Sequence, residues 1–533
     1  MIPKLLHRPA IAFLLSAVCA IAPADQIPAS SLRLPGVISD HLVLQSGQAD
    51  PLWGWAPSGT DVKAEFLDAQ GKSLVEADAI TSAQGKWSLK LPPLPPGAAG
   101  QLRFTAGSAV QIVQDVLVGE TWLCSGQSNM GYTFNVGPLP SDMPAEMMEK
   151  ARRQAVAAHG MIRSFTEWNV DQAETPQDDL KGTWMVVDPD NFHSVSCVAW
   201  YFAVALREKL VRPVGLLISA RPGTLIEQWM SKAALESCPS GPQFEKDTLA
   251  EAARVTPEIN AFKDADQAWL RANPTPELQA ANRASRPVQK SWLPPMFNQL
   301  YNALICPLEP YGIKGVIWFQ ADGNLGEPKV YGDLIKALIS NWRKDWHEDL
   351  PFYYVEMNNM RDVVQTKPVQ INDLSIIREQ QQAALELPKV DVACSIDLGL
   401  KEFEPHFPNK EPVGRRLALL TLNYDYGIPA VCHSPAYESF AVEGNKLRLK
   451  FTHADGLRVR GGGEMAGFAI RGATGDWVWA KGQVDGQDIL LWSDQVPQPA
   501  AARYAWAMNP VISVENAAGL PLRPFRTDTN SPE

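Results

Sequence analysis

Asp115-Val116-Leu117-Val118-Gly119-Glu120-Thr121-Trp122-Leu123-Cys124-Ser125-Gly126-Gln127-Ser128-Asn129-Met130 is the stretch on which the fold turns. A short apolar strand, Asp115 to Val118, leads into a glycine-flanked turn that carries a serine. An α/β fold exposes a nucleophile on such a turn, because the turn lifts the hydroxyl out of the sheet. Backbone N–H groups beside it can face a developing oxyanion. This is not a GxSxG elbow, since Met130 stands where the second glycine would be.

The chain changes character on either side of this turn. Residues 30–118 read as short strands, such as Asp61 to Phe66 and Trp87 to Leu91, separated by Gly/Pro clusters like Pro92-Pro93-Leu94-Pro95-Pro96-Gly97. That spacing predicts a β-sandwich-like region. Residues 119–435 alternate apolar runs with helical stretches. Val214 to Ile218, Gly315 to Phe319, Phe352 to Val355 and Val390 to Ile396 are the runs; Ala145 to Ala158, Val195 to Leu210 and Tyr331 to Trp346 are the helices. Short continuous apolar runs between helices predict buried parallel strands, hence a doubly wound α/β sheet. A polar segment at about 232–290 predicts a helical insertion, broken at Asn273-Pro274-Thr275-Pro276. Residues 436–530 return to strands and predict a second β-rich region.

The 533 residues allow about three domains at ~100–200 residues each. A net charge of −11 argues against a nucleic-acid partner, which wants a basic face. At the N-terminus, Lys4 and Arg8 precede the apolar stretch Ile11 to Ala22, and Ala20-Ile21-Ala22 and Ala22-Pro23-Ala24 offer cleavage patterns. Residues 1–24 therefore read as a secretory signal, and the mature protein is expected in a periplasm or outside the cell, with no membrane span after signal removal. Six cysteines remain, widely spaced and without a CxxC pair. The mature histidines include no HExxH or paired-ligand spacing, and no phosphate loop stands out, so neither metal nor cofactor is expected.

The nucleophile stretch resembles that of the sialate O-acetylesterase family, a branch of the SGNH hydrolases. The family form is GE-hydrophobic-W-x-CSGQSNM, and Gly119 to Met130 is nearly complete. The likeness extends to both ends of the mature chain, through Ser39-Asp40-His41-Leu42-Val43-Leu44-Gln45, Trp53-Gly54-Trp55-Ala56 and the closing Pro524-Phe525-Arg526-Thr527-Asp528. The resemblance implies that Ser128 is the nucleophile.

Three further blocks carry the implied roles. The family's WGGT-x-IE-x-W corresponds to Arg221-Pro222-Gly223-Thr224-Leu225-Ile226-Glu227-Gln228-Trp229. Gly223 is implied as an oxyanion N–H, alongside the Ser128 N–H; Pro222 replaces a glycine and has no N–H to give. WYQGESN corresponds to Trp318-Phe319-Gln320-Ala321-Asp322-Gly323-Asn324, with Asn324 implied as the oxyanion amide. D-I-H-P-x-NK-x-x-VG-x-RLA corresponds to Glu404 through Ala418 and implies His406 as general base. Glu404 occupies the place of the family's Asp and is the expected acid partner; Glu402, Asp397 or a main-chain carbonyl are the alternatives. Gln127, Gln320 and Arg221 are the residues expected to face substrate.

The expected chemistry is serine-dependent removal of an O-acetyl group from a sugar, most like a sialate O-acetylesterase, with an acetylated carbohydrate as substrate. An esterase of acetylated xylan or another polysaccharide is the first alternative. A carbohydrate-binding protein with a decayed esterase core is the second, motivated by Pro222, Ala321, Asp322 and Glu404.

Overall fold

The computed structural model describes residues 31–135, 144–167, 172–290, 296–360, 364–370, 372–399 and 406–528. The signal segment 1–24 and the candidate acids Glu402 and Glu404 lie outside the described residues.

The core of the molecule is a sheet whose central path runs Val390–Cys394, Phe352–Glu356, Gly315–Phe319, Ala109–Gly126, Val214–Ala220, Ile162–Glu167 and Gly182–Val186. All neighbours are parallel except the last pair. The fully apolar runs expected as buried strands are these strands, and Gly315–Phe319 and Phe352–Glu356 are buried at every position. Helices Cys197–Leu210 and Glu411–Tyr424 pack against each other, Gly414 fitting where a Cβ would lie 2.6 Å from the Val198 carbonyl oxygen. The fold is α/β with additional β regions.

One expectation needs correcting. The N-terminal β region was expected to end at 118, with a separate α/β unit beginning at 119. Instead a single 18-residue strand, Ala109–Gly126, crosses that boundary. Its first half pairs antiparallel with Ala99–Ala106 and its second half runs parallel to Val214–Ala220 and Gly315–Phe319. Leu52, Phe66 and Phe104 of the N-terminal strands share one hydrophobic core with Trp122, Trp318 and Leu417. The physical reason is visible in burial along the strand. It alternates between exposed and covered early, then is buried without interruption from Val118 to Gly126. What reads as a change of domain is a change from one covered face to two.

The C-terminal strands behave differently. Sheets of Ala436–Glu443, Lys446–Thr452, Asp488–Trp492 and Lys481–Asp485, and of Val478–Trp479, Phe468–Arg471, Ala501–Tyr504 and Phe525–Arg526, enclose their own core around Leu449, Phe468 and Tyr504. This region meets the central sheet through polar groups. Arg523 reaches the buried Glu356 at 2.9 Å, and the fully buried Arg378 donates to the carbonyls of Ala507 (2.7 Å) and Met508 (3.0 Å).

The polar segment after Trp229 is helical, with Lys232–Ser237, Gly241–Ala272 and Pro276–Ala281; the long helix ends before Asn273-Pro274, as the proline predicts. Among the described residues all six cysteines are free thiols, and no helix is long and apolar enough to cross a membrane.

Candidate active site

The strand Ala109–Gly126 sits between Val214–Ala220 and Gly315–Phe319, where the order of connections reverses. Open α/β sheets place their sites at the carboxyl ends of strands at such a point. Gly126 makes the exit turn. It adopts φ +136°, and a Cβ there would lie 2.3 Å from the Phe319 carbonyl oxygen. Gln127 N–H then donates to that same Phe319 oxygen at 3.0 Å, and Arg221 N–H donates to Gly126 O at 3.1 Å. The three strand ends are thereby stitched around Ser128, which opens the short helix Ser128–Gly131.

His406 reaches this turn from a loop 278 residues away in sequence. Its Nε2 lies 2.8 Å from Ser128 Oγ, within hydrogen-bond reach of a nucleophile–base pair. The ring stacks on Tyr132, with centroids 6.3 Å apart and planes 22° apart. Behind it, Lys410 is fully buried, bonds Asn129 Oδ1 and lies 3.6 Å from the Phe407 ring centroid. Lys410 thus ties the base loop to the residue following Ser128.

Asn324 lies on the turn Asp322–Asn324 beyond strand Gly315–Phe319. Its Oδ1 accepts from Ile226 N–H at 3.0 Å and from Gln320 Nε2 at 2.8 Å, and its Nδ2 donates to Glu227 Oε2 at 2.8 Å. The second and third blocks therefore meet. Gly323 permits the contact, since a Cβ there would be 2.3 Å from the Thr224 carbonyl oxygen. Ala321, where the family pattern has glycine, still accepts from Asn324 N–H at 2.9 Å, so the turn closes despite that departure. Gly223 is exposed on the preceding turn at φ +69°, and its N–H donates to no acceptor among the described residues.

Three expectations change here. Gln320 was expected to face substrate but is 0% exposed: Nε2 donates to Thr224 O (3.0 Å) and to Asn324 Oδ1, while Tyr331 OH donates to Oε1 (2.8 Å). A side chain so enclosed braces the loops and cannot line a sugar site. Gln127 is likewise buried, and its Oε1 accepts from Gly323 N–H at 3.3 Å. Asp397, an alternative acid, is held by Arg416 (2.7 Å) and Arg460 (3.0 Å) with its side chain fully buried. Arg221 stays at the rim of an open cleft of about 570 Å³, lined also by Gln172, Glu174, Thr224 and Gln299. Its guanidinium pairs with Glu167, whose carboxyl burial pushes up to about 7 against the pull of Arg221.

Sequence reasoning passed over Glu227, Lys410, Tyr132 and Tyr331. Two of them carried a signal: Glu227 is an acid flanked by the apolar pairs Leu225-Ile226 and Trp229-Met230, and Lys410 is a lysine within the base block.

With this geometry in hand, comparison with known proteins is informative. A model of the family described as carbohydrate esterase, sialic acid-specific acetylesterase matches residues 280–423, a span that holds Asn324 and His406. The curated sialate O-acetylesterase of Rattus norvegicus is 28% identical over 354 residues, 61% of this chain and 60% of that protein. This chain is similar to the sialate O-acetylesterases. The human sialate O-acetylesterase is 26% identical over 341 residues, 61% of this chain and 55% of its own length. The chain thus spans about 60% of the length of the curated relatives it matches. A solved carbohydrate acetylesterase from Xanthomonas citri superimposes with a TM-score of 0.75 at 29% identity, covering 94% of this chain and 100% of that one. The departures from the family pattern at Pro222, Ala321 and Asp322 fall around contacts that are nonetheless made: Ile226 to Asn324 and Gly323 to Gln127.

Proposed function

We propose that the protein is a serine carbohydrate esterase that removes O-acetyl groups from a sugar in the manner of the sialate O-acetylesterases. The observation that carries this reading is the 2.8 Å contact of His406 Nε2 with Ser128 Oγ at the switch point of the sheet. A serine hydroxyl is a weak nucleophile until a base takes its proton.

His406 Nε2 accepts the proton as Ser128 Oγ attacks the acetyl carbonyl. The negative charge on the carbonyl oxygen is met by the N–H groups of Ser128 and Gly223 and by the Asn324 amide. His406 returns the proton to the departing sugar oxygen, leaving an acetyl-Ser128 intermediate. A water then attacks, His406 takes its proton, and acetate leaves with Ser128 restored. Glu404 is the proposed acid that holds His406 Nδ1–H, which keeps Nε2 free to accept. The cleft beside Arg221 is the proposed seat of the sugar.

The reading includes export: the charged start and apolar stretch within residues 1–24 support a cleaved signal. N-terminal sequencing of the protein from periplasm or medium tests it; an uncleaved chain retained in the cytoplasm contradicts it. The activity is tested by acetate release from O-acetylated sialic acid, acetylated xylan and 4-nitrophenyl acetate. Release from the first above the second supports the sialate-like preference; release from xylan alone assigns a polysaccharide. No release from any of the three, by a folded protein, returns the reading to a binding protein with a decayed site.

A further inference from the structure

We propose that Glu227 is a positioning residue of the oxyanion hole: its carboxyl holds one N–H of the Asn324 amide, so that the other N–H points at the oxyanion. The proposal rests on the reading of Asn324 as an oxyanion donor and adds what makes that donor effective.

The argument is an accounting of hydrogens. An Asn amide has two acceptor lone pairs on oxygen and two N–H donors. Both acceptor positions of Asn324 Oδ1 are filled, by Ile226 N–H at 3.0 Å and Gln320 Nε2 at 2.8 Å. A flipped amide would set its NH₂ against those two donors and its oxygen against the Glu227 carboxyl. Only one orientation is therefore satisfied. Gln320 cannot flip to relieve this, because Tyr331 OH donates to its Oε1 and its other N–H is taken by Thr224 O. On the nitrogen side, one N–H goes to Glu227 Oε2 at 2.8 Å. No acceptor among the described residues takes the second.

Glu227 is itself held still. It sits on the short turn Ile226–Trp229, its carbonyl accepts from Asn298 N–H at 3.1 Å, and it is 3% exposed. A carboxyl so enclosed touches Asn324 and not substrate, so its effect passes through that amide. Burial raises its pKa, opposed by the Asn324 hydrogen bond. The geometry needs only an acceptor oxygen at this position, which the carboxyl offers Asn324 at 2.8 Å. A glutamine would preserve the same acceptor.

The test uses the full chain with 4-nitrophenyl acetate, measuring kcat and KM separately and checking folding by thermal melting. Asn324→Ala is expected to lower kcat by roughly 10²–10³. Glu227→Ala is expected to lower kcat by about 10², the scale of a misplaced catalytic group, with KM little changed. Glu227→Gln restores most of that loss. The double variant Glu227→Ala/Asn324→Ala is expected to be no slower than Asn324→Ala alone, because the two act as a unit. If melting shows that Glu227→Ala misfolds, Glu227→Leu supplies similar bulk without an acceptor and takes its place. A slow Asn324→Ala beside a wild-type kcat in Glu227→Ala overturns the positioning role and leaves the oxyanion reading standing. So do additive losses in the double variant, which mark Glu227 as acting independently. An unchanged kcat in Asn324→Ala removes both.

Discussion

The two sides of Ser128 are built on opposite plans. On the proposed oxyanion side, Gln320, Glu227 and Asn324 are 0%, 3% and 5% exposed, and each is tied to its neighbours through short hydrogen bonds. On the base side, His406 is only partly buried, stacked on Tyr132, with its loop braced from behind by Lys410. The difference follows from what the proposed mechanism asks of each side. A donor to a developing charge works by being in place beforehand, so any freedom to rotate lowers its value. A base must exchange its proton with serine, then with the leaving alcohol, then with water, and so it must border the open site. The proposed active site thus combines a locked wall and an accessible one.

This contrast can be broken, and the largest effect tests its centre. Ser128→Ala is expected to cost about 10⁵–10⁶ in kcat, and adding His406→Ala should cost almost nothing more, since nucleophile and base act as a unit. Activity in Ser128→Ala above a thousandth of wild type would remove the nucleophile from the scheme. Next, Glu404→Gln is expected to lower kcat by up to ~10⁴, the loss seen when a triad histidine is held in the wrong tautomer. Full activity in that variant would make the base side a Ser128–His406 dyad, with a main-chain carbonyl orienting the ring. On the locked side, Asn324→Ala should cost roughly 10²–10³; a loss as large as that of Glu404→Gln would mean that the wall also shapes the nucleophile turn. The smallest effect concerns the brace. Lys410→Met leaves the buried Asn129 Oδ1 without its charged donor, a loss of about 1–3 kcal/mol to be read as a lowered Tm. An unchanged Tm with reduced kcat would show that Lys410 serves the base rather than the fold.

A second contrast lies between the two flanking β regions. The N-terminal one is fused to the catalytic sheet through a shared strand and a shared apolar core, whereas the C-terminal one has its own core and meets the sheet through Arg523–Glu356 and Arg378. In sequence the two look alike, because both show short strands between Gly and Pro clusters. Strand content is a local property, but whether two sets of strands share one core is not.

Much was determined by sequence alone. Continuous apolar runs located the parallel strands, because a strand covered on both faces needs no polar positions. Helix Tyr331–Trp346 was legible in its periodicity, and the proposed site residues Ser128, Asn324 and His406 stand in ordered blocks whose spacing survives several substitutions. Tertiary structure decided the rest. Whether Gln320 and Gln127 meet substrate or brace loops depends on what covers them, and that is set by residues about a hundred positions away, such as Thr224. Glu227 gains a role only when its turn is folded against Asn324, 97 residues later. Whether the turn survives Ala321 in place of a glycine is likewise decided in the fold, where Asn324 N–H closes it on the Ala321 carbonyl at 2.9 Å. Apolar patterning is written along the chain, whereas the partner of a buried polar group is chosen by the fold, since only the folded chain can supply the hydrogen bonds that burial takes away.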